Sequence, residues 1–113
     1  YYALNARGIE YDLIPLMQKQ TMQLMAYSPL GTGDLVHHPD LKVIANTLGI
    51  TSAQLALAWI LRQPNAVAIP KTVNVERLEE NLFAGEIILG EAVLLELDRV
   101  FSPPRKKTAL HII

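Results

Sequence analysis

Residues Ala66–Ile69 form an unbroken apolar run closed by Pro70. The run is too short for a helix, and its branched residues and lack of polar alternation read as a strand buried on both faces. Such a strand needs neighbours on both sides, so it dictates a layered α/β arrangement for whatever surrounds it. The polar stretch that follows reads as a helix from about Val75 to Ala84, with Asn74 as its N-cap and Gly85 as its C-terminal stop. Lys71 then lies between the carboxyl end of a strand and the amino end of a helix, where unpaired backbone N–H groups and the helix dipole favour an anion. Arg77, in the first turn, adds a planar charged fork suited to phosphate. On spacing alone the ordinary alternative, two solvated surface charges that contribute little, stays open.

From the start of the chain, Tyr1–Leu4 reads as a strand remnant and Asn5–Gly8 as a turn. Leu13, Leu16 and Met17 share one face of a helix from about Asp12 to Gln20, with Pro15 tolerated in its first turn. Gln23–Tyr27 is the next strand, closed by Ser28 and Pro29. In the following segment Pro29, Gly31, Gly33 and Pro39 mark a long loop, of a length that in compact domains often carries function. Leu41, Ile44, Ala45 and Leu48 then define a helix over Asp40–Leu48, with Gly49 just beyond it. Thr51 and Gln54 have capping-box spacing, and Leu55–Leu61 is apolar nearly all round, a helix to be covered on most sides and limited by Pro64. A last helix over Glu91–Val100, without a side-chain cap at Gly90, turns Val93, Leu94, Leu97 and Phe101 toward a core before Ser102, Pro103 and Pro104 stop it. This alternation of strands and helices is that of a parallel sheet with right-handed crossovers.

A chain of 113 residues allows one domain. Half its residues are hydrophobic and its mean hydropathy is +0.22, apolar for so small a domain, so some apolar faces lack their partners within it. The start at Tyr1, inside a structured run, adds to the expectation of a missing N-terminal part. Ten basic and eleven acidic side chains leave a net charge of -1, which offers no footprint for nucleic acid or an anionic membrane. No apolar run reaches the roughly 18 residues of a membrane span. With no cysteine there is neither disulfide nor thiol chemistry. His37 and His38 have no cysteine or carboxylate cluster beside them and read as a solvated loop pair, so no metal site is expected. Trp59 reads as packing, and His111 lies in a tail without a motif.

The I-P-K run followed by Thr72, with an arginine six residues after the lysine and then Glu80-Asn81, resembles the cofactor-binding segment of the aldo-keto reductases. RGIEYDLIP, LMAYSPLG, ALAWILRQP, the L-D-R-V-F helix end and the PPRKKTAL tail match that family in order, most like its bacterial aldehyde and methylglyoxal reductase type. The resemblance implies an α/β fold, the C-terminal part of a (β/α)8 TIM barrel: the tail of strand 6, strands 7 and 8 and the helices after them, incomplete as given. It implies NADPH as cofactor. Tyr27 would stack on the nicotinamide; Ser28 and Leu30 would line the pyrophosphate path; Lys71, Thr72 and Arg77 would hold the 2′-phosphate; Glu80 and Asn81 would contact adenine.

The family's acid is a tyrosine assisted by a lysine and an aspartate, with a histidine orienting the carbonyl, all from the first half of the barrel. None of Tyr1, Tyr2, Tyr11 and Tyr27 falls in the matching segment, so no catalytic residue is named and the chain alone is expected to be inactive. The complete protein is expected to be a cytoplasmic, monomeric reductase of small-molecule aldehydes and ketones, with neither nucleic acid nor membrane as partner. Two other readings are a non-catalytic NADPH-binding barrel acting as a sensor or channel partner, and a small helical interaction module.

Overall fold

Two four-residue strands, β1 (Leu24–Tyr27) and β2 (Ala66–Ile69), pair in parallel with Leu24 opposite Ala66 and Tyr27 opposite Ile69. This is a computed structural model, and it describes residues 1–72 and 74–111; Val73, Ile112 and Ile113 lie outside the described residues. Helix α1 (Leu13–Lys19) precedes β1, and α2 (Pro39–Leu48) with α3 (Ser52–Leu61) makes the crossover to β2. Helices α4 (Val75–Phe83) and α5 (Glu91–Val100) follow, and 3-10 turns occupy Gly8–Glu10, Gly31–His37 and Ala84–Glu86.

The alternation of strand side chains divides the sheet into two unlike faces. Leu24, Ala26, Ala66 and Ala68 face the core, whereas Met25, Tyr27, Val67 and Ile69 are exposed. The expected burial of Ala66–Ile69 on both faces is therefore corrected: Val67 and Ile69 are 36% and 48% exposed. Among the described residues β2 has β1 as its one hydrogen-bonded neighbour, and the helical layer covers one side only.

The core is built around α3. Its Leu55, Ala56, Leu57, Ala58, Trp59 and Ile60 are all buried, as the all-round apolar sequence requires, and each large side chain so buried contributes about 1.5–3 kcal/mol. The capping box forms as read: Gln54 N–H donates to the Thr51 hydroxyl at 3.1 Å and Thr51 N–H to the Gln54 side-chain oxygen at 3.0 Å. Gly49 ends α2 in the left-handed conformation, φ 68°, which a side chain would strain. Leu97 of α5 is fully buried, and Val93, Leu94 and Phe101, partly buried, pack against the same core.

Two local expectations give way. Tyr1–Leu4 adds no strand to the sheet; reciprocal backbone bonds between Ala3 and Ala6, 3.3 and 2.9 Å, close a tight turn that drops Tyr2, Ala3 and Leu4 into the core. Gly85 does not stop α4 as a left-handed cap, because the chain tightens into the Ala84–Glu86 turn and the Ala84 carbonyl accepts from Ile87 N–H at 3.2 Å.

Arg7 fastens the ends of this unit to each other. Its guanidinium donates to the carboxylate of Glu10, to Asp98 Oδ1 at 2.8 Å and to the carbonyl of Phe101, while Glu10 also faces Arg62 at 3.7 Å. Arg7 and Arg62 both lie over the indole of Trp59, 4.9 and 4.3 Å from its centroid. Burial alone would lower the Arg7 pKa; the bonds to Glu10 and Asp98 outweigh it and the net shift is upward. Replacing Arg7 with Met keeps much of the stem and strands the partly buried Glu10, so urea unfolding of the full-length protein should show a loss of about 3 kcal/mol. A loss below about 0.5 kcal/mol, the ordinary effect of a surface change, would remove Arg7 from this role.

Candidate functional site

Because the strands are parallel and Tyr27 is opposite Ile69, the segments after both strands leave the sheet at the same end. The first, from Ser28, turns sharply: Ser28 and Thr32 have φ of 49° and 57°, a left-handed conformation that costs a side-chain-bearing residue about 1–2 kcal/mol. At Gly31, φ 61°, a side chain would be strained, and a Cβ there would stand 2.6 Å from Asn5 Nδ2, so the Asn5 amide would have to move aside. The expected long loop is thus a kinked 3-10 segment with Leu35 buried beneath it. The solvated-pair reading holds for His37, which is exposed; His38 is half-buried, its ring 4.9 Å from that of Phe101. Among the described residues no group of three metal-ligating side chains comes together.

The second segment carries Lys71 and Thr72 to α4. Asn74 caps the helix as its sequence position indicates, its side-chain oxygen accepting from Arg77 N–H at 3.2 Å. That bond takes one of the N–H groups an anion would otherwise meet. Thr72 Oγ1 accepts from Asn74 N–H at 3.1 Å, and among the described residues its own O–H has only a 3.5 Å contact with the Asn74 carbonyl, a weak bond that a ligand oxygen could replace. Gln54, besides completing its capping box, donates to the Glu80 carbonyl at 3.3 Å and ties α4 to α3.

Between these segments lie two adjoining hollows. One, of about 540 Å³, is lined by Leu30, Lys71, Thr72, Arg77, Glu80 and Asn81 together with Val36, His37, Lys42, Asn46 and Thr51–Ala53. The other, of about 530 Å³, is lined by Tyr27, Ser28, Leu30, Thr32, Ile69, Lys71 and Arg77. Each is within the size range of small-molecule sites, about 300–1,000 Å³. Leu30, Gly33, Val36, Lys71 and Arg77 border both, so the two form one groove across the carboxyl ends of the strands. All eight residues singled out in the sequence border it, Tyr27 and Ser28 at one end, Thr72, Glu80 and Asn81 at the other. Tyr27 is half-exposed beside the ring of Tyr1, 5.7 Å between centroids. Burial first, then Asp34 and Tyr27, pushes the Tyr1 phenol pKa up, so that ring stays neutral.

Lys42, Lys71 and Arg77 make no ion pair among the described residues, and Glu80 is the one carboxylate bordering their hollow. Concentrated positive charge in a concave, partly apolar groove suits an elongated polyanion bearing ring systems.

The model of the Aldo/keto reductase family matches residues 2–101. The chain belongs to that family. Among its relatives, methylglyoxal reductase YeaE of Escherichia coli (strain K12) is 38% identical, the alignment covering 99% of this chain and 41% of that protein. An aldo/keto reductase of Synechocystis sp., slr0942, is 39% identical over 76% of this chain and 30% of its own length. An aldo-keto reductase from Klebsiella pneumoniae, solved in complex with NADPH, superposes with a TM-score of 0.94 at 43% identity, covering 99% of this chain and 41% of that one. The chain thus spans about two fifths, or less, of the length of the relatives it matches. As a member of that family, with a parallel strand pair, the chain is not the small helical interaction module given as a third reading.

The sequence reading missed the wall made by His37, Lys42, Asn46 and Thr51–Ala53. A faint signal existed: Lys42 and Asn46 are four residues apart on the polar face of α2, directly after the glycine-bearing segment. It quoted the segments that hold Arg7 and Asp98 but gave neither a role, since nothing in their spacing announces their contact. Asn74→Ala should cost about 1 kcal/mol through the lost cap. Denaturant unfolding of the full-length protein measures this; no change would mean that water replaces the cap fully.

Proposed function

We propose that this chain is the C-terminal, cofactor-binding portion of a (β/α)8 barrel, part of an NADPH-dependent oxidoreductase that reduces aldehydes or ketones to alcohols. The observation that carries this reading is the groove at the strand ends, in which Lys71, Thr72 and Arg77 stand together at a capped helix start and Tyr27 presents a half-exposed ring at the other end. Loops at the carboxyl ends of barrel strands, those after the seventh and eighth especially, commonly hold phosphate. A partial barrel also accounts for the exposed apolar sheet face: Met25, Tyr27, Val67 and Ile69 alternate with the core-facing residues and would turn toward the barrel interior.

The groove residues fit NADPH chemically: unpaired cations for phosphate, an aromatic face at one end, and Glu80 with Asn81 as polar partners for a base at the other. Lys71, Thr72 and Arg77 would hold the 2′-phosphate, Ser28 and Leu30 the pyrophosphate path, Tyr27 the nicotinamide, and Glu80 and Asn81 the adenine. When bound, NADPH supplies the hydride for carbonyl reduction. Tyr27 would cover one face of the nicotinamide and leave the other open, and the positive groove would orient the cofactor by its charged end. The proton donor, by family likeness, belongs to the part of the barrel that this chain does not match.

Arg77→Met in the full-length protein removes the charged fork and retains much of the aliphatic stem. NADPH affinity, followed by intrinsic fluorescence titration, should fall about tenfold, since hydrogen bonds to charged groups contribute about 1.5–3 kcal/mol and this one is solvated. NADH affinity should hardly move, and raised ionic strength should weaken NADPH more in the parent than in the variant. Equal losses for both cofactors would assign Arg77 a structural role on α4 and withdraw the cofactor reading.

The 113-residue chain by itself should show no NADPH-dependent reduction of methylglyoxal or simple aldehydes, and should associate in sedimentation through its open strand edge and exposed apolar face. A rate that follows the protein through purification, or a compact monomer with fixed near-UV circular dichroism, would contradict the portion hypothesis. Carbonyl reduction by the full-length protein separates an enzyme from a barrel that only senses the cofactor.

A further inference from the structure

The two hollows of the groove differ in one charged residue that the sequence pattern did not point to. Lys71 and Arg77 border both, whereas Lys42 borders only the hollow that also holds Thr72, Glu80 and Asn81. The Tyr27 and Ser28 end of the groove does not include it. Lys42 belongs to α2 and Arg77 to α4, so the two residues border the hollow from different helices. Asn46, one helical turn further along α2, borders the same hollow, which places that face of the helix against it.

We infer that Lys42 is a specificity-determining residue for the adenosine end of the cofactor, adding a charge from α2 that favours a 2′-phosphorylated nucleotide over its unphosphorylated counterpart. The inference rests on the cofactor reading given above and goes beyond it, since that reading needs only Lys71, Thr72 and Arg77. Among the described residues Lys42 has no carboxylate partner to occupy its ammonium, and its hollow is bordered by three basic side chains, Lys42, Lys71 and Arg77, against the single carboxylate of Glu80. A phosphate monoester, doubly charged near neutral pH, is the part of the cofactor that most rewards this excess at the adenosine end. The pyrophosphate is common to both nucleotides and would be held toward the Ser28 and Leu30 end.

The geometry also sets the size of the effect. Lys42 is exposed and a lysine is a strongly hydrated point charge, so its contribution must be smaller than that of the Arg77 fork. At the strength of an exposed ion pair, the Lys42→Met variant of the full-length protein should bind NADPH roughly three- to fivefold more weakly. NADH should bind as before. Adenosine 2′,5′-bisphosphate and adenosine 5′-monophosphate, used as probes in the same titration, should repeat the split without the nicotinamide, and Lys42→Arg should restore most of the loss. The salt dependence of NADPH binding should be shallower in Lys42→Met than in the parent.

Arg77→Met serves as the reference arm. If Arg77→Met shows its NADPH-selective loss while Lys42→Met binds NADPH like the parent, Lys42 is not a determinant and the cofactor reading survives. If Lys42→Met weakens NADPH and NADH alike, its role is structural, through α2, and the inference is overturned. If the parent itself does not distinguish the 2′-phosphorylated probe from the monophosphate, both readings fall together.

Discussion

The register of β1 against β2 is the constraint from which the rest of this structure follows. Four residues a side are paired, and the pairing sets Tyr27 opposite Ile69 so that two unrelated loops begin at one edge of the sheet. A slip of one residue would turn every strand side chain to the other face, placing Ala26 and Ala68 outward and Tyr27 against the helices. The groove exists only because that slip does not occur. Parallel strands cannot be joined by a tight turn, so the register must be enforced from a distance by the α2–α3 crossover. Helix α3, buried along nearly its whole length and packed on β2, is the part of that crossover that holds its position.

Trp59 is the largest side chain in that helix, and its surroundings are half ionic. Its ring lies beneath Arg7 and Arg62 and beside Tyr2, whose hydroxyl accepts from Gln63 at 3.2 Å. Arg7 carries the connection onward to Glu10 and to Asp98 at the end of α5. A guanidinium so buried is tolerable only because its donors are satisfied, which is also why its pKa is shifted upward despite burial. The arrangement joins the turn after Ala6, the crossover helix and the last helix through one guanidinium. A purely apolar contact there could slide; directional bonds to Asp98 and to the Phe101 carbonyl cannot without being lost.

The groove shows the opposite electrostatic regime. Lys42, Lys71 and Arg77 are exposed and lack carboxylate partners among the described residues, so the folded chain keeps like charges near one another. That repulsion is modest in water and is relieved by a bound polyanion. Backbone conformation adds to the pattern, with Ser28 and Thr32 held at positive φ where the segment after β1 bends toward the same groove. Cations that stabilise the fold are thus buried and paired, and cations that border the groove are open.

The sequence alone determined what depends on neighbours along the chain. The period of Leu41, Ile44, Ala45 and Leu48, the Thr51–Gln54 box, the Asn74 cap and the proline after Ile69 each act through local backbone geometry, so helices and strands were legible with small errors at their ends. The misreadings fall where a long-range partner decides. Whether Val67 and Ile69 are buried depends on what lies across the sheet, Tyr1–Leu4 became a tight turn in the core because Ala3 and Ala6 bond to each other rather than to β1, and Gly85 lost its role as a stop to a tightening turn. The eight groove residues could be named because they lie in two contiguous segments that resemble a known family; that they border one groove is a consequence of the parallel register. Lys42 and Arg7 could not have been found in the same way. Arg7 bonds across the core to Asp98 and Phe101, dozens of positions away, and Lys42 borders the same hollow as Arg77, Glu80 and Asn81 of α4; such proximity is created by packing rather than by spacing in the chain.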